Sequence, residues 1–267
     1  MKPPCKIALA LGGGAARGYA HIGVLQVLEE HGIPIDYIAG CSMGALVGAL
    51  YATGISANML HNVASQIGFS EALHLFDITL PRFGLVRGQR VEALMRTLTG
   101  NRNIEQLARP FACICVSLED STLHTITSGN VAKAVRASIS IPGVFDPVVI
   151  DGKHYVDGGV LCRVPTAAAR AMGGDFILAV DVGYHGEPRD NSPRNVIDII
   201  MWSFEIMEWQ MNDSWVRDSD LLVKTNTHQI NPANFANVDE VVQLGREAME
   251  RRIDELKEAL RSRGMNI

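Results

Sequence analysis

Short, uninterrupted apolar runs alternate along the chain with longer stretches of helical spacing, and their order predicts the fold. Ile7 to Leu11 is apolar throughout and ends in glycines; Tyr19 to His31 follows with Ile22, Val24, Leu25 and Leu28 near helical spacing, closed by Gly32. This reads as strand, glycine loop, helix. Ile33 to Ala39 predicts a second strand and Ala45 to Ala52 the helix behind it, ending near Gly54. Ser56 to Gln66 predicts a helix with Ser56 as N-cap, and Val91 to Leu98 a short one ending at Gly100. Phe111 to Leu118 reads as a buried strand, with Leu123 to Thr127 beside it across a Glu119-Asp120-Ser121 turn. Asn130 caps a helix over Val131 to Ala137, and Val148 to Ile150 and Lys153 to Val156 form a hairpin about Asp151-Gly152. Pro165 suits the first turn of a helix to Met172, and Phe176 to Val180 is a further buried strand ending at Asp181.

Three regions carry mixed signals. Phe69 to Arg87, with Phe69, Leu73, Leu75, Phe76, Leu80, Phe83, Leu85 and Val86, reads as an irregular layer on the core or as an apolar rim for an acyl chain. Asn195 to Trp215 is a long helix whose apolar residues cover more than one stripe, so it is buried on two sides or offers a surface to a partner, a lipid or a second copy. After a strand at Leu221 to Lys224, Val238 to Arg261 reads as one terminal amphipathic helix. The alternation predicts an α/β fold, a three-layer α/β/α arrangement with a mainly parallel central sheet. One domain is expected over 1–267, with its core motifs in 7–182 and a helical portion over 194–267.

Composition narrows the classes. With 267 residues, 47% of them hydrophobic, and a net charge of −5, the chain is long enough for a sizeable core and gives no sign of disorder or nucleic-acid binding. Its five cysteines lack metal-ligand spacing and read as reduced residues in or near the core, which fits a cytoplasmic compartment. Lys2 and Lys6 precede an apolar run too short to span a bilayer, and no later run reaches the length needed, so membrane contact is expected to be peripheral, at the inner membrane surface.

The candidate chemistry centres on Gly40-Cys41-Ser42-Met43-Gly44. A serine between glycines, with a strand before it and a helix after it, fits a strained turn that exposes a nucleophilic hydroxyl; it also fits a serine that caps a helix. The loop Gly12-Gly13-Gly14-Ala15-Ala16-Arg17-Gly18 can supply backbone N–H groups to a nucleotide pyrophosphate or to an oxyanion formed on Ser42. As a dinucleotide fingerprint it is out of step, with Arg17 or Ala15 where glycine is needed, although Asp36 stands where the acidic residue belongs. Serine needs a base. His154, His185 and His228 lie downstream, none in a catalytic pattern, whereas Asp157 sits at a strand end before Gly158 and Gly159, either as an Asx turn or as a carboxylate able to deprotonate Ser42 directly.

These three motifs, in this order, resemble the patatin-like phospholipase family from Ile7 to about Val182, and the Ala137-Ser138 to Pro147 segment is also similar. The loop ends in Arg17 rather than following the GxGxxG of the family, as in small bacterial members. The resemblance implies a Ser–Asp dyad of Ser42 as nucleophile and Asp157 as proton acceptor, and an oxyanion hole drawn from Gly12, Gly13, Gly14 and Met43. Arg17, Gly18, Gly40, Gly44, Gly158 and Gly159 support the motifs. It further implies a serine acyl hydrolase of phospholipase, lysophospholipase or carboxylesterase type, working through an acyl-enzyme on an acyl lipid or ester, with no cofactor and no metal. The competing expectation is a regulatory protein of the same fold that binds a protein partner, or a second copy, through the 195–215 helix.

Overall fold

The computed structural model describes residues 5–75, 84–189 and 192–267, with their side chains except at 68–75 and 212–213. In chain order it comprises β1 (Ile7–Leu11), a 3₁₀ turn at Ala15–Tyr19, α1 (Ala20–Glu30), β2 (Tyr37–Cys41), α2 (Met43–Ala52), α3 (Ala57–Leu75), β3 (Gly84–Val86) and α4 (Gln89–Leu98). Then come β4 (Phe111–Ser117), β5 (Thr122–Ile126), α5 (Val131–Ser138), β6 (Gly143–Phe145), β7 (Val148–Ile150), β8 (Lys153–Asp157) and α6 (Thr166–Ala171). The last elements are β9 (Phe176–Asp181), α7 (Val196–Val216), β10 (Leu221–Lys224), α8 (Val238–Glu250) and α9 (Ile253–Ser262).

The central sheet is mixed. β10, β9, β1, β2 and β4 pair in that order and run parallel, while β5, β8 and β7 add antiparallel pairs beyond them. β1 lies mid-sheet with both faces covered, which explains its unbroken apolar run. Its residues still divide by size: Ile7, Leu9 and Leu11 join the larger core beneath α1, α2 and α8, whereas Ala8 and Ala10 face the layer that contains α6. Small side chains there let α6 approach the sheet closely.

The caps behave as their chemistry predicts: the Met59, Lys133 and Asp198 N–H groups donate to the side chains of Ser56, Asn130 and Asn195 at 3.2, 3.2 and 2.9 Å. Three expectations change. The second strand begins at Tyr37, not Ile33, because Pro34 cannot donate to a ladder and the Asp36 carboxylate takes the Ile7 N–H and the Lys6 ammonium at 2.9 and 2.7 Å. The terminal helix is two helices: a turn at Arg251–Arg252 redirects the chain so that Ile253, Leu256 and Leu260 join the same core as Val241 and Val242. β3 and β6 form an unforeseen parallel pair, too short to carry a period in sequence. Of the 69–87 region, Phe76, Leu80 and Phe83 and the side chains of Phe69, Leu73 and Leu75 lie outside the described residues; Leu85 and Val86 belong to β3. Among the described residues no helix is long and apolar enough to cross a membrane.

Candidate active site

Ser42 joins β2 to α2 with φ 51° and ψ −123°, a conformation that a residue with a side chain adopts only under constraint. The constraint is steric. A Cβ at Gly44 would collide with the carbonyls of Leu11 and Gly12, and one at Gly40 with the backbone of Ala45, so only glycine lets the helix start this close to the strands. The Ser42 N–H donates to the Ser138 hydroxyl at 3.0 Å, which ties the turn to the end of α5. The Ala137 to Pro147 segment therefore floors the site, and Arg136 fastens it by donating to the Ser140 hydroxyl at 2.6 Å and to the Asp146 carbonyl at 2.8 Å.

Strand pairing brings Asp157 to this turn. β5 occupies one edge of β4 along 113–117, so β2 and β8 share the other edge, end to end. Cys41 pairs with Ile114 and Asp157 with Cys115, consecutive positions on that edge. The C-terminal ends of two strands 116 residues apart in sequence thus meet, and Cys41 Sγ lies 3.7 Å from Asp157 Oδ1. Oδ1 also accepts the Gly159 N–H at 2.8 Å, while Oδ2 has no hydrogen-bond partner of ordinary geometry among the described residues. Burial pushes the Asp157 carboxyl up to about 6; the Ser42 hydroxyl, as a weak donor to it, and the Gly159 N–H act in the opposite direction. Asp157 is ionised at neutral pH, yet basic enough to take a proton.

The glycine loop abuts the serine: a Cβ on Gly13 would sit 3.3 Å from Ser42 Cβ. Its N–H groups are unequal. Gly12 donates to the Val180 carbonyl and Gly13 to the Arg163 carbonyl, both at 3.0 Å, so these two expected oxyanion donors are already engaged. Among the described residues the Gly14 and Met43 N–H groups have no acceptor, which narrows the set of four to those two. Buried His21 holds the loop from behind through Nε2, 2.8 Å from the Gly12 carbonyl, and burial lowers its pKa to about 4, so it is neutral. Arg17 turns away from Ser42 into a buried ion pair with Glu205, 2.5 Å apart. A Cβ at Gly18 would collide with Met43, and one at Gly158 would crowd Ile114, so both glycines serve close packing.

Two cavities meet at Ser42. One, the candidate catalytic pocket, is lined by Gly14, Ser42, Asp157, Pro142, Glu205 and Glu208 among others. The other, of about 150 Å³, has almost wholly apolar walls, among them Met43, Leu46, Leu60, Met95, Ile139 and Phe235. Among the described residues no histidine lines either: His154 pairs with Glu119, His185 lies against Asp181 and His228 pairs with Asn226. Sequence reasoning missed Glu205 and Glu208, the two acids on the inner side of α7. The signal was there, as two acids three residues apart in a helix otherwise rich in apolar residues. Burial pushes Glu208 up to about 8, against the pull of Arg163 at 3.9 Å. No group of three or more His, Cys, Asp or Glu able to hold a metal occurs among the described residues.

Comparison with known proteins places the fold and the family. An uncharacterised NTE family protein of Mycobacterium tuberculosis is 38% identical over 190 residues, 70% of this chain and 52% of that protein. The lysophospholipase NTE1 of Coccidioides immitis is 31% identical over 281 residues, 94% of this chain but 18% of that protein. The chain therefore spans about half or less of the length of these relatives. The crystal structure of VipD from Legionella pneumophila shares the fold, with a TM-score of 0.68 at 15% identity, covering 95% of this chain and 67% of that one. Residues 9–170, more than half of the chain, match the patatin-like phospholipase family, and the chain belongs to that family.

Proposed function

We propose that the protein is a serine acyl hydrolase of lipid esters that works through a Ser42–Asp157 dyad. The observation that carries this reading is the apolar cavity that opens onto Ser42, beside a carboxyl whose burial suits it to proton transfer. Ser42 Oγ attacks the acyl carbonyl carbon while Asp157 takes the hydroxyl proton. The Gly14 and Met43 N–H groups hold the oxyanion, each donor of this kind being worth about 10²–10³ in rate. As the intermediate collapses, the ester C–O bond breaks and Asp157 passes its proton to the leaving alcohol. Water then attacks the acyl-enzyme, with Asp157 taking its proton and returning it to Ser42 as the fatty acid leaves.

The name lysophospholipase carried by the fungal relatives makes monoacyl phospholipids the first substrates to try. The test is a lipid-ester panel on wild type, Ser42→Ala and Asp157→Asn. Loss of hydrolysis in both variants, with folding intact, supports the dyad; near-normal activity of Asp157→Asn, or abolition by His154→Ala or His228→Ala, refutes it.

A second reading has one observation in its favour. α7 turns Val196, Ile199, Ile206, Met207 and Trp209 outward, each more than a third exposed, while its other side lines the catalytic pocket. This exposed stripe suits peripheral contact with a lipid surface, or a protein partner if the chain is a regulator. A fluorophosphonate probe that labels Ser42 in the folded protein supports the enzyme; failure to label supports the regulator.

A further inference from the structure

A second polar cavity, of about 110 Å³, lies beyond the wall of the catalytic pocket and is lined by Arg17, Arg189, Arg194, Trp202, His228 and the loop 229–232. Glu205 is the wall between the two: it faces the catalytic pocket, and its carboxylate receives Arg17 on Oε1 and Arg189 on Oε2, at 2.5 and 2.7 Å. One carboxylate thus serves two guanidinium groups. The other acid at this cavity, Asp198, accepts the Arg194 backbone N–H at 2.8 Å, and the Arg194 guanidinium has no partner among the described residues. Among the described residues three guanidinium groups therefore face two carboxylates. Burial draws the proton affinity of Arg17 below its ordinary value against the pull of Glu205, and the charge of Arg189 adds to the lowering.

Arg189 is also held in place. Its guanidinium carbon lies 3.9 Å from the centre of the Tyr184 ring and 4.7 Å from that of Trp202, and Glu205 fixes one end of the group. A planar fork immobilised in this way, with excess positive charge beside it, suits bidentate recognition of a tetrahedral oxyanion. A fatty-acid carboxylate is a poor rival, because its tail belongs in the apolar cavity at Ser42 and this one offers it mainly polar walls.

We propose that this cavity binds a phosphate group, with Arg189 and Arg194 as its ligands and Arg17 bracing Arg189 through Glu205. Ser42 lines both the apolar cavity and the catalytic pocket, and Glu205 of the catalytic pocket pairs with Arg17 and Arg189 of the basic cavity, which sets an order: apolar cavity, Ser42, catalytic pocket, Glu205, basic cavity. A lipid that lies along this path places its acyl chain at one end and a phosphate-bearing headgroup at the other. Assigning the phosphate to the substrate rests on the hydrolase reading; phosphate binding itself does not.

The test has two arms. The first is calorimetric titration of the full chain with inorganic phosphate and with glycerol 3-phosphate at fixed ionic strength, with glycerol as the uncharged control. The expected result is saturable binding of both anions, weakened about tenfold or more in Arg189→Gln and in Arg194→Gln. Asp198→Asn removes a negative charge from the lining and is expected to tighten binding, a gain that misfolding cannot mimic. Absence of binding to wild type, or unchanged affinity in both arginine variants, overturns the proposal. The second arm compares kcat/KM for a 1-acylglycerol and its 3-phosphate of the same chain length. A preference for the phosphate that falls in Arg194→Gln identifies the lipid headgroup as the ligand; an unchanged preference with weakened anion binding identifies a free phosphate compound. If neither ester is hydrolysed, the hydrolase reading fails and the calorimetry still decides the phosphate site.

Discussion

Glu208 lies directly over Gly159: a single methyl group there would collide with its carboxylate, and the Gly159 N–H is the same group that donates to Asp157. An acid of α7 and the proposed base of the dyad thus bear on one short turn. Burial pushes Glu208 up to about 8 and Asp157 up to about 6, so at neutral pH the first is mainly protonated and the second mainly ionised. Arg163 pulls Glu208 down, while Asp157, Glu205 and Asp181 push it up. Below about 6 Asp157 gains a proton and cannot act as base; above about 8 Glu208 loses one and sets a second negative charge beside the oxyanion. The expected kcat/KM profile is a bell between these limits, and Glu208→Gln keeps the acidic limb and removes the alkaline one. An alkaline limb unchanged in Glu208→Gln contradicts this.

Holding Asp157 in the dry interior costs stability. Its folded pKa of about 6 exceeds the ordinary carboxyl value of 3.8, so the folded state binds the proton more tightly than the unfolded one and wild-type stability falls as pH rises through this window. Asp157→Asn escapes the penalty. It is expected to be more stable than wild type by up to about 3 kcal/mol above pH 6, with the gap closing below about pH 4. Chemical denaturation at pH 4 and pH 8 measures both ends.

Ser138→Ala leaves the Ser42 N–H without its acceptor in a site that has little water access. The expected loss is about 1–3 kcal/mol of stability, together with a lower kcat as the turn loosens. Thermal melts paired with single-turnover acylation separate the two effects; a variant equal to wild type in both denies Ser138 any part in holding the turn.

Leu46→Trp fills part of the apolar cavity next to Ser42. If the acyl chain lies there, the ratio of kcat/KM for a sixteen-carbon ester to that for a four-carbon ester falls about tenfold or more, as each lost methylene contact is worth about 1–3 kcal/mol. A ratio that stays put places the chain elsewhere.

Much of this was legible in the chain itself, because the signals were local. Gly12 to Gly14, Gly40 and Gly44, the Ser56 and Asn130 caps and the buried run of β1 each follow from neighbours a few residues away. The meeting of Ser42 with Asp157 was legible only through resemblance, since it depends on β2 and β8 sharing one edge of β4, and nothing in either strand encodes which edge it takes. The role of Glu205 and Glu208 is masked in sequence by the many apolar residues of α7, and only the packing of that helix against the turn at Gly159 gives its acids a place. The engagement of the Gly12 and Gly13 N–H groups by Val180 and Arg163 is a tertiary fact of the same kind.

The backbone at Ser42 has one last consequence. With φ at 51°, glycine would be the more comfortable occupant, by about 1–3 kcal/mol on the usual cost of such conformations. A protein with no catalytic use for position 42 would gain firmness from glycine there, just as it would from asparagine at 157. This chain keeps the two less stable choices side by side, a pattern that counts against a purely regulatory role and in favour of a molecule that gives up rigidity for reactivity.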